Sequence, residues 1–140
     1  MINKGLLTSN SSEWETPQDL FDELNRYFKF KTDVCATKKN AKCKRYFTKK
    51  DDGFKQRWRK RDNSWCWMNP PYGREIGKWV EMAADTGEVV ALLPARTDTK
   101  YFHEYIYKKK SVEICFIKGR LKFSKSKNSA PFPSMIVIFK

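Results

Sequence analysis

Asn69-Pro70-Pro71-Tyr72 is the part of this sequence with the most chemistry in it. It follows Trp65-Cys66-Trp67-Met68, a short apolar run that reads as the end of a buried strand. Two prolines hold φ near about −65° and remove two backbone donors. What remains nearby is acceptors: the Asn69 side-chain oxygen and the carbonyls beside it. Tyr72 adds an aromatic face, expected to be exposed. Such a set suits a flat base with an exocyclic amine, because it accepts the amine hydrogens and makes the nitrogen a better nucleophile. The same four residues also describe an ordinary turn after a strand. Their place, between a buried strand and an amphipathic helix, is where open α/β sheets bind ligands.

The elements that position this turn are legible from spacing. Thr16-Pro17 reads as a helix start, with Thr16 at the N-cap, Pro17 at the first helical position and Asp19 two residues on. Leu20, Phe21, Leu24, Tyr27 and Phe28 follow at helical spacing. Residues 30–34 read as a strand and 37–62 as a stretch of minimal structure. Residues 77–85 read as a helix stopped by Gly87, with Ile76, Trp79, Val80, Ala83 and Ala84 on one face. A strand at 88–93, a helix at about 99–108, and strands at 112–117, 120–123 and 134–139 complete the chain. Strands alternating with helices imply parallel units. The last strands have no helix between them, so an antiparallel hairpin is expected at that edge. Residues 1–12 read as a flexible tail and 13–140 as a single domain, in line with a length of 140 residues.

Composition narrows the partners. Aromatic residues make up 15%, which argues against disorder although 32% of residues are charged. The formal net charge of +13 would repel itself in a compact state unless a partner benefits, and a nucleic acid is the simplest one. No basic amphipathic helix, lipidation signal or membrane-length apolar run is present, and the polar amino terminus does not read as a secretory signal. A cytoplasmic location is expected. Cys35, Cys43, Cys66 and Cys115 show no paired spacing, and His103 is the single histidine. A metal site is therefore not expected, and buried free thiols are.

The segment WMNPPYGREIGKWVEMA resembles the catalytic region of amino-directed DNA methyltransferases that use S-adenosylmethionine. Further stretches, EWETPQDLFDELN, DVCATKKNAKCKRYFT, DDGF, LLPARTDTKYFH, GRLKF and APFPSMIVIF, resemble the small phage-type DNA N6-adenine methyltransferases in the same order. The likeness runs from about Glu13 to Phe139. It implies a compact Rossmann-like methyltransferase sheet, mostly parallel with an antiparallel end and shortened around its second and third strands. It implies an enzyme that passes a methyl group from S-adenosylmethionine to an adenine flipped out of double-stranded DNA. For a phage protein the location would be the bacterial host cytoplasm.

Carried over by resemblance, Asn69 supplies a side-chain oxygen and Pro70 a backbone carbonyl to the amine, Pro71 shapes the turn, and Tyr72 stacks on the base. The likeness places Thr16, Pro17, Asp33, Cys35, Ala36, Asn40 and Asp52 around the cofactor. Asp33-Val34-Cys35-Ala36-Thr37 departs from the usual pattern in having no glycine. Other accounts stand beside these: a strand-end carboxylate for Asp33, a plain helix start for Thr16-Pro17, an Asp-Gly turn for Asp52. The motif does not separate adenine N6 from cytosine N4. A non-catalytic nucleic-acid-binding module of the same fold, and methylation of RNA, are the alternatives.

Basic residues suggest where DNA would lie. Lys55, Arg57, Arg59, Lys60 and Arg61 crowd Trp58. Arg96, Thr97 and Lys100 follow a strand end, Arg120 and Lys122 share one face of the expected hairpin, and Lys125 and Lys127 sit in a loop. His103, Trp79, Phe102 and Tyr105 read as ordinary helix and core residues. No separate recognition domain is visible, which makes a homodimer plausible.

Overall fold

A computed structural model describes residues 14–61 and 63–140; the expected tail at residues 1–12 lies outside them. Helix α1 (Gln18–Phe28) leads into β1 (Thr32–Asp33), β2 (Arg45–Tyr46) and a short 3₁₀ turn (Gly53–Lys55). Next come β3 (Cys66–Met68), α2 (Ile76–Thr86), β4 (Val89–Pro94), a π-helical turn (Phe102–Ile106), β5 (Val112–Phe116) and β6 (Ser134–Phe139). The six strands form one sheet in the order β2-β1-β3-β4-β6-β5. Pairs β1–β2, β1–β3 and β3–β4 are parallel, whereas β6 runs antiparallel between β4 and β5. This is the mixed, mostly parallel sheet with an antiparallel end that the sequence suggested, compatible with a Rossmann-like methyltransferase fold.

The alternation of side chains along β3 separates two helical layers. Trp67 packs edge-on against Phe21 of α1. Cys66 points to the other face and lies against the Trp58 carbonyl, and Trp58 stacks on Trp79 of α2. β4 is covered on both sides, which explains its unbroken apolar run VVALLP, buried at all six positions. α2 ends at Gly87, whose φ of 71° suits glycine, and the Gly87 amide closes on the Ala83 carbonyl.

Several expected details change. α1 begins one residue later than expected, with Pro17 in the capping position and no side-chain cap. The Thr16 hydroxyl is engaged by Asn69 instead. Tyr27 is 81% exposed, off the packed face that Phe21 anchors. The helix expected at about 99–108 forms over residues 100–106 and widens to π geometry from Phe102 to Ile106, with the Tyr107 amide bonded to the Phe102 carbonyl. Residues 120–123 form no strand. β5 and β6 pair as the expected antiparallel hairpin, but a long irregular loop joins them, tied by Ala130 N to the Leu121 carbonyl at 2.7 Å. Residues 37–62 hold only the two-residue β2 and the 3₁₀ turn among those described, as expected. Cys66 is buried and Cys35 and Cys43 are half-buried, but Cys115 is exposed, contrary to the expectation of buried thiols.

Gly53 ties the edge of this sheet together. A Cβ there would lie 2.8 Å from the Val34 carbonyl oxygen and 2.7 Å from the Trp79 ring. Backbone and a buried indole yield little, so a methyl group must push the turn away from β1. Gly53→Ala is expected to lower stability by about 1–3 kcal/mol. Urea denaturation checks this, with a shifted midpoint and an unchanged slope expected.

Candidate active site

Asn69 follows the last residue of β3, at the carboxyl edge of the parallel strands. Its side-chain nitrogen donates to the Trp14 carbonyl at 2.5 Å and to the Thr16 hydroxyl at 2.9 Å. A carbonyl only accepts, so the NH2 group must face Trp14. That leaves Oδ1 pointing the other way, buried and without a hydrogen-bond partner among the described residues. A buried acceptor left unpaired costs about 1–3 kcal/mol. Such an atom fits an arriving N–H donor. Pro70 is buried and Pro71 exposed in the same turn.

Tyr72 corrects one expectation. It is 6% exposed, not an open stacking face. Its hydroxyl donates to the Leu92 carbonyl at 3.0 Å. Its ring meets Phe132 and Phe123 edge-on at 5.6 and 6.4 Å. Burial holds the phenol well above its ordinary pKa, so it stays a neutral donor. Trp14 packs against the same two phenylalanines at 5.2 and 5.4 Å. An aromatic cluster therefore covers the turn, drawn from residues 14, 72, 123 and 132. Sequence reading missed Trp14, Phe123 and Phe132, because nothing in local spacing shows that segments more than a hundred residues apart share one cover.

Asp33 ends β1, beside this turn: the Val34 amide bonds the Trp67 carbonyl, and the Asn69 backbone lies against Cys35. Asp33 is 3% exposed, and its two oxygens accept from the Cys35 amide at 3.4 Å and the Lys42 amide at 3.0 Å. Burial outweighs these bonds and the nearby Lys42 charge, and pushes its pKa up to about 7. Asn40 closes a reciprocal turn with Thr37. Asp52 caps the 3₁₀ turn through the Phe54 amide at a φ of 59°. The tight contact of Gly53 with Val34 brings Asp52 to the β1 end. Ala36 is held by the Phe47 carbonyl at 2.9 Å. Asp33, Cys35, Ala36, Asn40, Asp52 and Asn69 thus share one edge, and Thr16 with Pro17 joins them from α1.

The basic run divides from this site. Trp58 is buried with its indole N–H on the Gly53 carbonyl. From there the chain descends to the amino edge: Arg45 at the start of β2 takes the Arg57 and Trp58 carbonyls, and Arg59 pairs with Glu88 at 2.9 Å, just before β4. Arg57, Arg59, Lys60 and Arg61 therefore lie on the side of the sheet away from Asn69. Lys55, near Asp52, stays closer. The basic run expected to meet DNA is therefore split between the two edges of the sheet. Arg96, Thr97, Lys100, Arg120 and Lys122 do lie on the Asn69 edge, all exposed. So do exposed Lys38, Lys39, Lys49, Lys50, Arg74 and Lys118, which sequence reasoning did not single out. His103 is held by the Thr97 carbonyl at 2.8 Å. A hollow of about 290 Å³ lined by Phe54, Lys78, Glu81, Met82 and Asp85 lies on the α2 side, apart from Asn69.

Among the described residues no His, Cys, Asp and Glu cluster suits a metal ion, and no helix is long and apolar enough to cross a membrane. Over residues 4–140 the chain matches the family described as DNA N-6-adenine-methyltransferase (Dam). It is also similar to a DNA N-6-adenine-methyltransferase of Escherichia phage T1, at 30% identity over 112 residues. That match covers 77% of this chain and 45% of the relative, so the chain corresponds to about half of the phage protein's length.

The buried carboxyl sets a pH dependence. A carboxyl with a raised folded-state pKa makes no difference while both states are protonated. It subtracts stability as pH rises from about 4, the unfolded range, through about 7, and subtracts no more beyond. Wild-type melting temperature should therefore fall across that window more steeply than that of Asp33→Asn. The variant's lost hydrogen bond adds an offset that does not depend on pH. Parallel slopes would place the Asp33 carboxyl in contact with water.

Proposed function

This chain belongs to the DNA N-6-adenine-methyltransferase (Dam) family, and from that premise we propose that it passes a methyl group from S-adenosylmethionine to the N6 amine of an adenine extruded from duplex DNA. The observation that carries this reading is the orphaned Asn69 Oδ1 at a strand's carboxyl edge. A base inside a duplex cannot reach such a turn, so it must leave the stack. Asn69 Oδ1 and the Pro70 carbonyl then hold the two amine hydrogens. This draws the nitrogen lone pair out of conjugation with the ring and toward the incoming carbon. The surplus proton on nitrogen rests against Asn69 Oδ1 until water removes it. Tyr72 serves by packing beside the turn, and Phe123, Phe132 and Trp14 form one aromatic cover with it.

The donor set at the ends of β1 and β2 fits S-adenosylmethionine. Asp33 has accepting capacity beyond its two backbone bonds, since an ionised carboxylate offers about four lone-pair sites, and it suits an ammonium group. Asp52, Asn40, Cys35 and Ala36 line the same edge and suit a ribose and an adenine, with Pro17 beside them. When bound, that molecule supplies a methyl carbon made electrophilic by its sulfonium. The chain's part is alignment, which is worth up to ~7–11 kcal/mol in such displacements.

Labelled transfer to mixed-sequence duplex, with the product mapped base by base, tests the reading. Label on adenine N6 is expected. Asn69→Ala should lower transfer by about 10²–10³ while leaving duplex binding in place. Transfer at the wild-type rate by the variant, or label confined to cytosine or RNA, would overturn it. A wild-type chain that binds duplex but no S-adenosylmethionine would mark a binding module.

The duplex should lie along the Asn69 edge. Replacing Lys38, Lys39, Lys49 and Lys50 with Ala is expected to reduce the salt slope of binding by roughly 3. The same treatment of Arg57, Lys60 and Arg61 should leave it nearly unchanged. The reverse order of effects would put DNA on the opposite edge.

A further inference from the structure

We propose that the segment Trp14–Thr16 is a positioning strap for the Asn69 amide, and that Thr16 acts through Asn69 rather than by touching the cofactor. The inference rests on the reading of Asn69 Oδ1 as the acceptor for the substrate amine. The terminal torsion of an asparagine is broad and roughly two-fold, so nothing within the residue decides which way its oxygen points. Here both hydrogens of Nδ2 are claimed, one by the Trp14 carbonyl and one by the Thr16 hydroxyl. Turning the amide over would set Oδ1 against the Trp14 carbonyl, two acceptors with no hydrogen between them. The strap thus selects the one orientation that leaves Oδ1 free.

The strap is itself held from the far end of the sequence. The Ser124 hydroxyl donates to the Thr16 carbonyl at 3.1 Å, and the Ser124 amide donates to the Glu15 carbonyl at 3.0 Å. Lys125 pairs with Glu15 at 3.4 Å. The Trp14 ring is seated between Phe123 and Phe132. Thr16 is 3% exposed, too enclosed to serve as a simple helix cap in solvent. Its hydroxyl makes no cap to α1, which starts without one. The bond to Asn69 is what the side chain does.

Thr16→Val keeps the shape and removes the hydroxyl; Thr16→Ser restores it. For Val we expect kcat to fall about tenfold, the factor equal to ~1.4 kcal/mol in the barrier. The Kd values for S-adenosylmethionine and for duplex should stay within about twofold, and Ser should recover most of the rate. A readout without turnover runs in parallel: the Asn69 side-chain NH2 signal in ¹⁵N spectra, assigned by its loss in Asn69→Ala. It should exchange slowly with solvent in the wild type and in Ser, and quickly in Val. A raised Kd for S-adenosylmethionine with kcat and NH2 exchange unchanged would overturn the proposal and make Thr16 a cofactor ligand. Lost thermal stability with unchanged kcat and exchange would also overturn it, as a packing role. If the wild type binds duplex but transfers nothing, the functional reading fails, and the exchange comparison still decides whether the strap holds the amide.

Discussion

A single amide with its hydrogens satisfied and its oxygen orphaned is the constraint around which this structure is arranged. Folding normally pairs buried acceptors, because leaving one bare costs more than a typical hydrogen bond contributes. Asn69 Oδ1 is among the few buried side-chain atoms of the described residues that break that rule. The exception is held in place from three directions. β3 delivers the residue, the two prolines stiffen the chain after it, and the segment before α1 takes both amide hydrogens. A side chain fixed this firmly, yet unpaired at one atom, keeps that acceptor in a single orientation.

The sheet makes this possible at small size. β3 has only three residues and β1 and β2 two each, so carboxyl and amino edges are separated by roughly 10 Å of strand. Stability comes from the other half, where β4 and β6 pair over six residues and bury nearly all of them. The Asn69 turn thus sits at the thin side of the sheet, next to its best-packed strand. Short strands also explain how a run of basic residues adjacent in sequence to the site ends on the other side. The irregular stretch between the 3₁₀ turn and β3 is enough to carry the chain from one edge to the other.

What could be read from the sequence followed from local rules. The central strands, the α2 face, the Gly87 stop and the alternation of strand and helix rest on periodicity and backbone preference, and they hold. The Asn69 turn was legible because strand end, amide and prolines are contiguous. Tyr72 was misjudged, since its burial depends on Phe123 and Phe132, some fifty residues later. Thr16 reads equally well as a cap until Asn69 is brought beside it. Tyr27 shares the helical spacing of its neighbours but falls just off the packed stripe. Residues 120–123 alternate like a strand, but they lie in the β5–β6 connection, where the Leu121 carbonyl holds the Ala130 amide across the loop.

The missing glycines after β1 fit the same economy. A glycine-rich turn lets a ligand's atoms approach backbone closely because no Cβ intervenes. Here the segment after β1 has none, and its carbonyl at Val34 is instead met by Gly53 from the connection after β2. The close approach is therefore between two pieces of backbone, and it draws Asp52 up to the end of β1. That leaves two carboxyls on this edge, Asp33 buried at the end of β1 with its pKa pushed up to about 7, and Asp52 capping the 3₁₀ turn. A cationic ligand bound beside Asp33 would favour its ionised form and so release a proton on binding below about pH 7.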